Sequence, residues 1–315
     1  MIRDYISYEI QRNSSQIGSL NWQSKIREKS LTGLLPAAMD DFLTATEAPD
    51  RKRALGVWQE KNREDIDCLG ELRRLWKEGE IYYKDLFQSP KIDLAILPAY
   101  SFVIQFTFIL AQPYISRDEQ DFYIIDNPIR KDKILGLPYV ASTSWKGSLR
   151  SALWHLGYKE ENDLIRYLFG NEKEPKDLKD FRAGRLYFYP TFFIYKSLEI
   201  INPQDRKLRA GKDPVQFESV PRDTKGTFTL LYVPFDLGGE EEKTIREQVA
   251  KELPLLATGL QAMFTIYGFG AKTSSGFGLA KEDAKGELCM KTGSRSQQFE
   301  SFGQLVTTAE SWIFE

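Results

Sequence analysis

Residues 99–111 read AYSFVIQFTFILA. Aromatic and β-branched side chains dominate, and these suit a pleated, half-buried surface better than a helix. The run predicts a strand and marks a change of texture along the chain. Before it, from Ala37 to Phe87, the sequence is charged and amphipathic. Leu43, Leu55, Trp58, Ile66, Leu69, Leu72, Leu75 and Trp76 are spaced there as apolar stripes of helices. The segment TEAPD at 46–50 punctuates two of those helices, because the residue before a proline is pushed out of the helical region. After the strand comes a polar, irregular stretch from Gln112 to Tyr139, longer than an ordinary connection and so a candidate for function. A helix follows over Thr143–Leu156, with Thr143 or Ser144 as its cap. Strand-like runs return at Gly184–Ile194, Val215–Val220 and Gly226–Val233, then a helix from Glu240 to Tyr267 interrupted near Pro254. This order predicts an α+β fold. It divides the chain into a mostly helical extension over 1–95, a core over 96–290 and a C-terminal tail over 291–315.

Composition excludes more than it identifies. With 315 residues, 42% of them hydrophobic, the chain can bury a sizeable core. No run approaches the roughly 18 consecutive apolar residues of a membrane span, and the first residues lack a signal peptide's apolar region. Cys68 and Cys289 are far apart and match no metal spacing, so a cytoplasmic setting is expected. A single histidine, His155, leaves little room for histidine-based catalysis, and its apolar neighbours predict a packed core residue. The net charge of −2 does not itself suggest a polyanion as partner, but distribution matters more than the sum. Arg130, Lys131, Lys133, Lys146 and Arg150 fall in one central window, and Arg206, Lys207, Arg209 and Lys212 form a second run.

Two local motifs carry chemistry. The first is GFGAKTSSGFG, residues 268–278. Its glycines, among them Gly268 and Gly270, permit positive φ and close backbone approach. Lys272, Thr273 and Ser274 add a cation and hydroxyls where exposed amides would meet phosphates. The spacing is not that of a Walker A loop. The second is GLPYVASTSWKGSLR, residues 136–150, a serine-rich turn entering a helix. There Ser142, Thr143, Lys146 and Arg150 bring amides, hydroxyls and cations together, although an ordinary helix start reads the same way. Tyr187, Tyr189, Phe192 and Phe193 either fill a core or stack bases. Trp145 and Phe269, beside the two turns, are candidates for RNA or subunit contact.

Taken in order, four blocks resemble the RAMP superfamily of CRISPR-associated proteins, and in particular the backbone subunits of type III effector complexes. They are IDNPIR at 125–130, LPYVASTSWKGSLR at 137–150, Phe169-Gly170 with GRLYF at 184–188 and the stretch Asp205–Phe228, and the glycine-rich loop. The resemblance spans roughly 98–285. Ala141 stands where a glycine is usual, and Tyr189 where relatives commonly carry aspartate.

The resemblance implies a ferredoxin-like, RNA-recognition-motif-like core with thumb-like hairpin insertions, the N-terminal helices being an addition. It implies guide RNA, target RNA and other effector subunits of a filament-like complex as partners, and no membrane. Arg130, Arg206, Lys207 and Arg209 would touch RNA beside the two motifs. In cleaving members an aspartate after the first strand supports metal-dependent cutting of target RNA. The matching position is Asp126, which would hold Mg2+ or another divalent ion. Asp126-Asn127-Pro128 is also a turn signal in its own right. Two alternatives stand beside this reading: a noncatalytic cap at a filament end, and a guide-precursor processing endoribonuclease.

Overall fold

The computed structural model describes residues 90–118, 127–132, 136–171, 182–201, 204–205, 210–211 and 215–312. The expected helical extension falls outside the described residues over 1–89, as do Asp126, Lys133, Arg206, Lys207, Arg209 and Lys212.

The aromatic run forms β1 (Phe102–Leu110), the central strand of an antiparallel sheet. Downstream lie β2 (Tyr139–Val140), α1 (Ser142–His155), α2 (Asp163–Phe169), β3 (Leu186–Phe188) and β4 (Thr191–Phe192). A hairpin follows: β5 (Ser197–Ile201) pairs with β8 (Val215–Ser219), and nearer its tip β6 (Gln204–Asp205) pairs with β7 (Ala210–Gly211). The chain then forms β9 (Lys225–Tyr232), α3 (Glu242–Ala262), a π turn (Met263–Tyr267), β10 (Ala280–Met290), β11 (Arg295–Ser301) and α4 (Phe302–Ser311). The five-stranded sheet has the order β11-β10-β1-β9-β3. The order β1-α1-β3-β9-α3-β10 is thus a β-α-β-β-α-β unit whose strands lie side by side as fourth, first, third and second.

One face of this sheet carries the main core. Alternate side chains of β1, namely Phe102, Ile104, Phe106 and Phe108, are buried together with Leu149 and Leu153 of α1 and Leu256 and Leu260 of α3. Phe106 meets Phe228, Phe264, Phe299 and Phe302 at ring-centroid distances of 5.1–6.0 Å, mostly edge to face. The opposite face buries a smaller cluster, Val103, Leu231 and Val233, packed against Ile92, Leu94 and Leu97 of the strap that precedes β1. Lys291 ties that strap down by donating to the carbonyls of Ala95 and Leu97.

Three expectations need correction. Residues 291–315 are not a tail: β11 extends the sheet, and Phe299, Phe302, Leu305 and Ala309 are buried. Pro254 does not interrupt α3, because Leu253, Leu255 and Leu256 around it are all buried and outweigh the one lost backbone bond. The run Gly184–Ile194 is not one strand but two, β3 and β4, parted at Tyr189-Pro190.

A buried polar network fastens β3 to α3. Arg185, 2% exposed, donates from Nε and Nη2 to both oxygens of Asp236 (2.7 and 2.6 Å) and from Nη1 to Glu252 (2.6 Å). The Tyr232 hydroxyl donates to the other Glu252 oxygen at 2.6 Å, and Gln248 donates to the first. Burial and the Glu252 charge together push the Tyr232 phenol well above its ordinary value. Burial opposes ionisation of Asp236, but the Arg185 hydrogen bonds and charge outweigh it and hold the carboxyl below the usual range. Arg185→Leu strands the Glu252 charge and is expected to cost about 3–5 kcal/mol in urea unfolding. Asp236 contributes stability above the ordinary carboxylate pKa that is lost as pH falls through its lowered native value. Asp236→Asn should therefore flatten the acid limb of a stability–pH curve.

Candidate nucleic-acid interface

The first turn of α1 is open. Ala141 occupies the cap position and no side chain bonds the helix end, so neither Thr143 nor Ser144 is the cap. The amides of Ser144 and Trp145 are taken up by the Ala141 carbonyl, whereas those of Ser142 and Thr143 have no partner among the described residues. Ser142, Lys146 and Arg150 recur every four residues and form one stripe of about 12 Å along the helix. Lys146 and Arg150 have no acidic partner among the described residues. Burial, and then the Arg150 charge, lowers the Lys146 pKa. The Arg150 guanidinium sits 5.2 Å from the Phe169 ring, and its buried Nε lacks a hydrogen bond. Two adjacent cations held half-buried, with no counter-ion among the described residues, favour an arriving anion.

The glycine-rich loop packs against this turn from below. Trp145 of α1 and Phe269 of the loop lie 4.6 Å apart, centroid to centroid, and both are fully buried. They are core residues, not RNA or subunit contacts. The loop is less of an open amide cradle than its sequence suggests. Gly268 donates to Met263, Phe269 to Gly278, Ala271 to Ile115 and Gly278 to Pro113, all backbone to backbone. Gly268 and Gly270 serve close approach: a Cβ on Gly270 would lie 2.5 Å from the Ile115 carbonyl and from the Tyr114 ring. What stays open is the run Lys272, Thr273 and Ser274, whose amides have no partner among the described residues, with Lys272 in the left-handed region at φ 57°. The Lys272 ammonium rests 4.8 Å from the Phe217 ring of β8.

A third piece joins the hairpin to the body. Glu218 of β8, 6% exposed, accepts from the Ile129 amide (3.1 Å) and from Lys131 Nζ (2.6 Å). Glu218 also donates its amide to the Asn127 carbonyl, and Asn127 Nδ2 donates to the Gln216 carbonyl at 3.0 Å. Burial lowers the Lys131 pKa and the Glu218 charge opposes that shift. Lys131 is therefore a structural cation and not part of a basic patch. Arg130 is exposed. The segment that begins at Asn127-Pro128 is anchored here, and Asp126 precedes it in sequence. Among the described residues no three or more His, Cys, Asp or Glu side chains gather as a metal site. His155 is exposed and stacks on Tyr267 at 4.7 Å, so it is not the core residue its neighbours suggest. No helix among the described residues is long and apolar enough to cross a membrane.

The family profile of the RAMP superfamily matches residues 117–281, just over half of the chain and all three pieces of this surface. The chain belongs to the RAMP superfamily. Among curated relatives, this RAMP protein is 29% identical to the CRISPR system Cms endoribonuclease Csm3 of Streptococcus thermophilus. That match runs over 174 residues, 49% of this chain and 73% of the relative. The Csm3 endoribonuclease of Mycobacterium tuberculosis is 25% identical over 189 residues, 50% of this chain and 74% of its own. Solved structures with similarity include a chain of the type III-B Cmr-beta complex bound to cognate target RNA. It has TM-score 0.45 and 15% identity, covering 86% of this chain and 84% of that one. A chain of a Csm3–Csm4 subcomplex of a type III-A CRISPR-Cas interference complex has TM-score 0.40 and 15% identity, covering 68% and 97%.

The RAMP loop offers a test of its backbone. A Cβ at Gly278 (φ 70°) would lie 1.9 Å from the Phe269 carbonyl oxygen, whereas Gly276 (φ 85°) has open space. Gly276→Ala should cost only the left-handed strain, about 1–2 kcal/mol in chemical unfolding. Gly278→Ala should cost clearly more, because a backbone oxygen must also move.

Proposed function

We propose that this RAMP protein is a guide-RNA-binding backbone subunit of a type III CRISPR effector complex. The observation that carries the reading is the stripe of Lys146 and Arg150 behind the uncapped first turn of α1. Neither cation has a counter-ion among the described residues, and both lie on the helix whose first turn packs against the glycine-rich loop. An RNA backbone supplies anions at intervals along such a stripe, and Ser142, Thr143, Lys272, Thr273 and Ser274 offer hydrogen bonds to phosphate oxygens. The relatives named as Csm3 endoribonucleases of CRISPR systems support the same class of partner. In this reading the β-α-β-β-α-β unit is a ferredoxin-like core, and the hairpin of β5 to β8 is its thumb. Arg206, Lys207 and Arg209, which join β6 to β7 in sequence, would meet guide or target RNA.

Asp126 is the proposed centre of target cleavage. Mg2+ is commonly held by one or two carboxylates together with substrate phosphates, so Asp126 and the RNA itself would suffice for such a site. When bound, the ion would stabilise charge at the scissile phosphate. The protein's own part is to hold Asn127–Lys131 rigid against β8 through Glu218 and so fix where the preceding carboxylate starts. Processing of a guide precursor by a histidine base fits less well, because His155 sits at the far end of α1, about 20 Å from Ser142 along the helix.

Two outcomes are expected. In the assembled complex Asp126→Ala or EDTA should abolish cuts in a labelled target RNA while target binding persists; an unchanged cut pattern would make the protein a scaffold or cap. Lys146→Ala with Arg150→Ala should weaken guide binding and reduce the slope of log K against log salt by about 0.7 for each phosphate no longer neutralised.

A further inference from the structure

Gly147 of α1 and Gly259 of α3 both sit in helix interiors. A glycine there destabilises a helix relative to alanine, so each calls for a reason. Gly259 has one inside the fold. A Cβ on it would lie 2.7 Å from the Leu153 side chain and 3.1 Å from that of Leu149, so its absence lets α3 cross close to α1. Gly147 has no such reason. It is exposed, its φ is not positive, and a Cβ there would meet nothing among the described residues within 4 Å.

The surroundings of Gly147 point to something outside the chain. Trp145, Leu149, Ala152 and Leu153 are the buried residues of α1. At about 100° per residue, Gly147 lies opposite them, at the middle of the outward face. Thr143 and Ser151 lie one turn to either side of it, Arg150 on the adjacent turn, and Trp154 two turns on. Thr143 and Ser151 are exposed, and Trp154 is 40% exposed. Neither hydroxyl nor the indole N–H has a hydrogen-bond partner among the described residues. Lys146 and Arg150 run along one side of this face, and α1 contains no Asp or Glu. A face of cations and free donors without a carboxylate is complementary to a polyanion. At its centre the helix backbone is bare.

We propose that Gly147 is a close-approach position for the RNA backbone. The strand crosses α1 with its phosphates toward Lys146 and Arg150 and its sugars over the bare backbone at Gly147. Thr143 and Ser151 donate to it from either side, and Trp154 closes the far end of the notch. This role rests on the RNA-binding reading above and adds a steric requirement to it, since the missing side chain matters as much as the charges. Helix stability is given up there for contact.

Full-length wild type, Gly147→Ala, Gly147→Leu and Lys146→Ala with Arg150→Ala are compared by urea unfolding and by titration with single-stranded RNA across a salt series. Gly147→Ala should lower the unfolding equilibrium constant about two- to five-fold, because alanine suits the helix and meets no neighbour. The same variant should bind RNA about five-fold more weakly, and Gly147→Leu more weakly again. A stabler protein that binds less marks a notch kept for a ligand, and a merely structural glycine would not produce it. If both Gly147 variants bind like wild type while the double variant loses affinity and slope, the notch is wrong and the RNA-binding reading stands. Lower stability in Gly147→Ala would make the glycine a packing residue and also overturn the proposal. Unimpaired RNA binding with loss of assembly into the effector complex would give the notch to a protein neighbour instead. Unchanged affinity and slope in the double variant would remove the RNA-binding reading and the notch with it.

Discussion

The indole of Trp145 lies 4.6 Å from Phe269, 5.4 Å from Phe264 and 6.1 Å from Phe108, and its N–H is held by Thr191. Through this one side chain the first turn of α1, the glycine-rich loop, the central strand and the β2–β4 ribbon share a single packed centre. Interiors packed this densely do not let one element shift alone. The open amides of Ser142 and Thr143 are thus held in place by apolar contacts beneath them, although none of those contacts can reach a ligand. The polar surface is set by the core, and the buried aromatics around Trp145 are what make it rigid.

Electrostatics then divides the cations into two kinds. Arg185 and Lys131 are spent on buried carboxylates and hold elements together: β3 to α3 in one case, the segment after Asp126 to the hairpin in the other. Lys146 and Arg150 have no such partner among the described residues, at some cost in desolvation. A sum of charges near zero hides this division. The described residues carry a localised positive stripe on α1.

How much of this the sequence disclosed depends on what kind of signal each element leaves. The run at 99–111 announced β1 through its aromatics, and α1 through the spacing of Leu149 and Leu153. The strand β10 went unread because it is half charge, yet Ala280, Ala284, Leu288 and Met290 are buried and alternate with Lys281, Asp283, Lys285 and Glu287. The period-two pattern is interrupted at Glu282, exposed where the alternation calls for a buried residue, and small alanines and a glycine mute the rest. β11 has a single buried residue, Phe299, and gains its place only by pairing with β10, which no local pattern reports. At the site, Lys146, Arg150 and Lys272 were legible as cations near turns. Phe269 and Trp145 were misjudged, since a large aromatic beside a polar turn looks the same in sequence whether it points inward or outward. The role of Glu218 depends on a partner 87 residues away and left no local trace.

The hairpin of β5 to β8 is gripped at its root from opposite sides. Neighbouring residues of a strand point to opposite faces, so Glu218 meets Lys131 on one face and Phe217 meets Lys272 on the other. A beam held at two points on opposite sides behaves as a cantilever whose root is fixed. Changes in length or charge toward the tip then leave the fulcrum, and with it the nucleic-acid surface, undisturbed. Such an arm can be retuned by substitution at its end without the rest of the molecule having to be refitted.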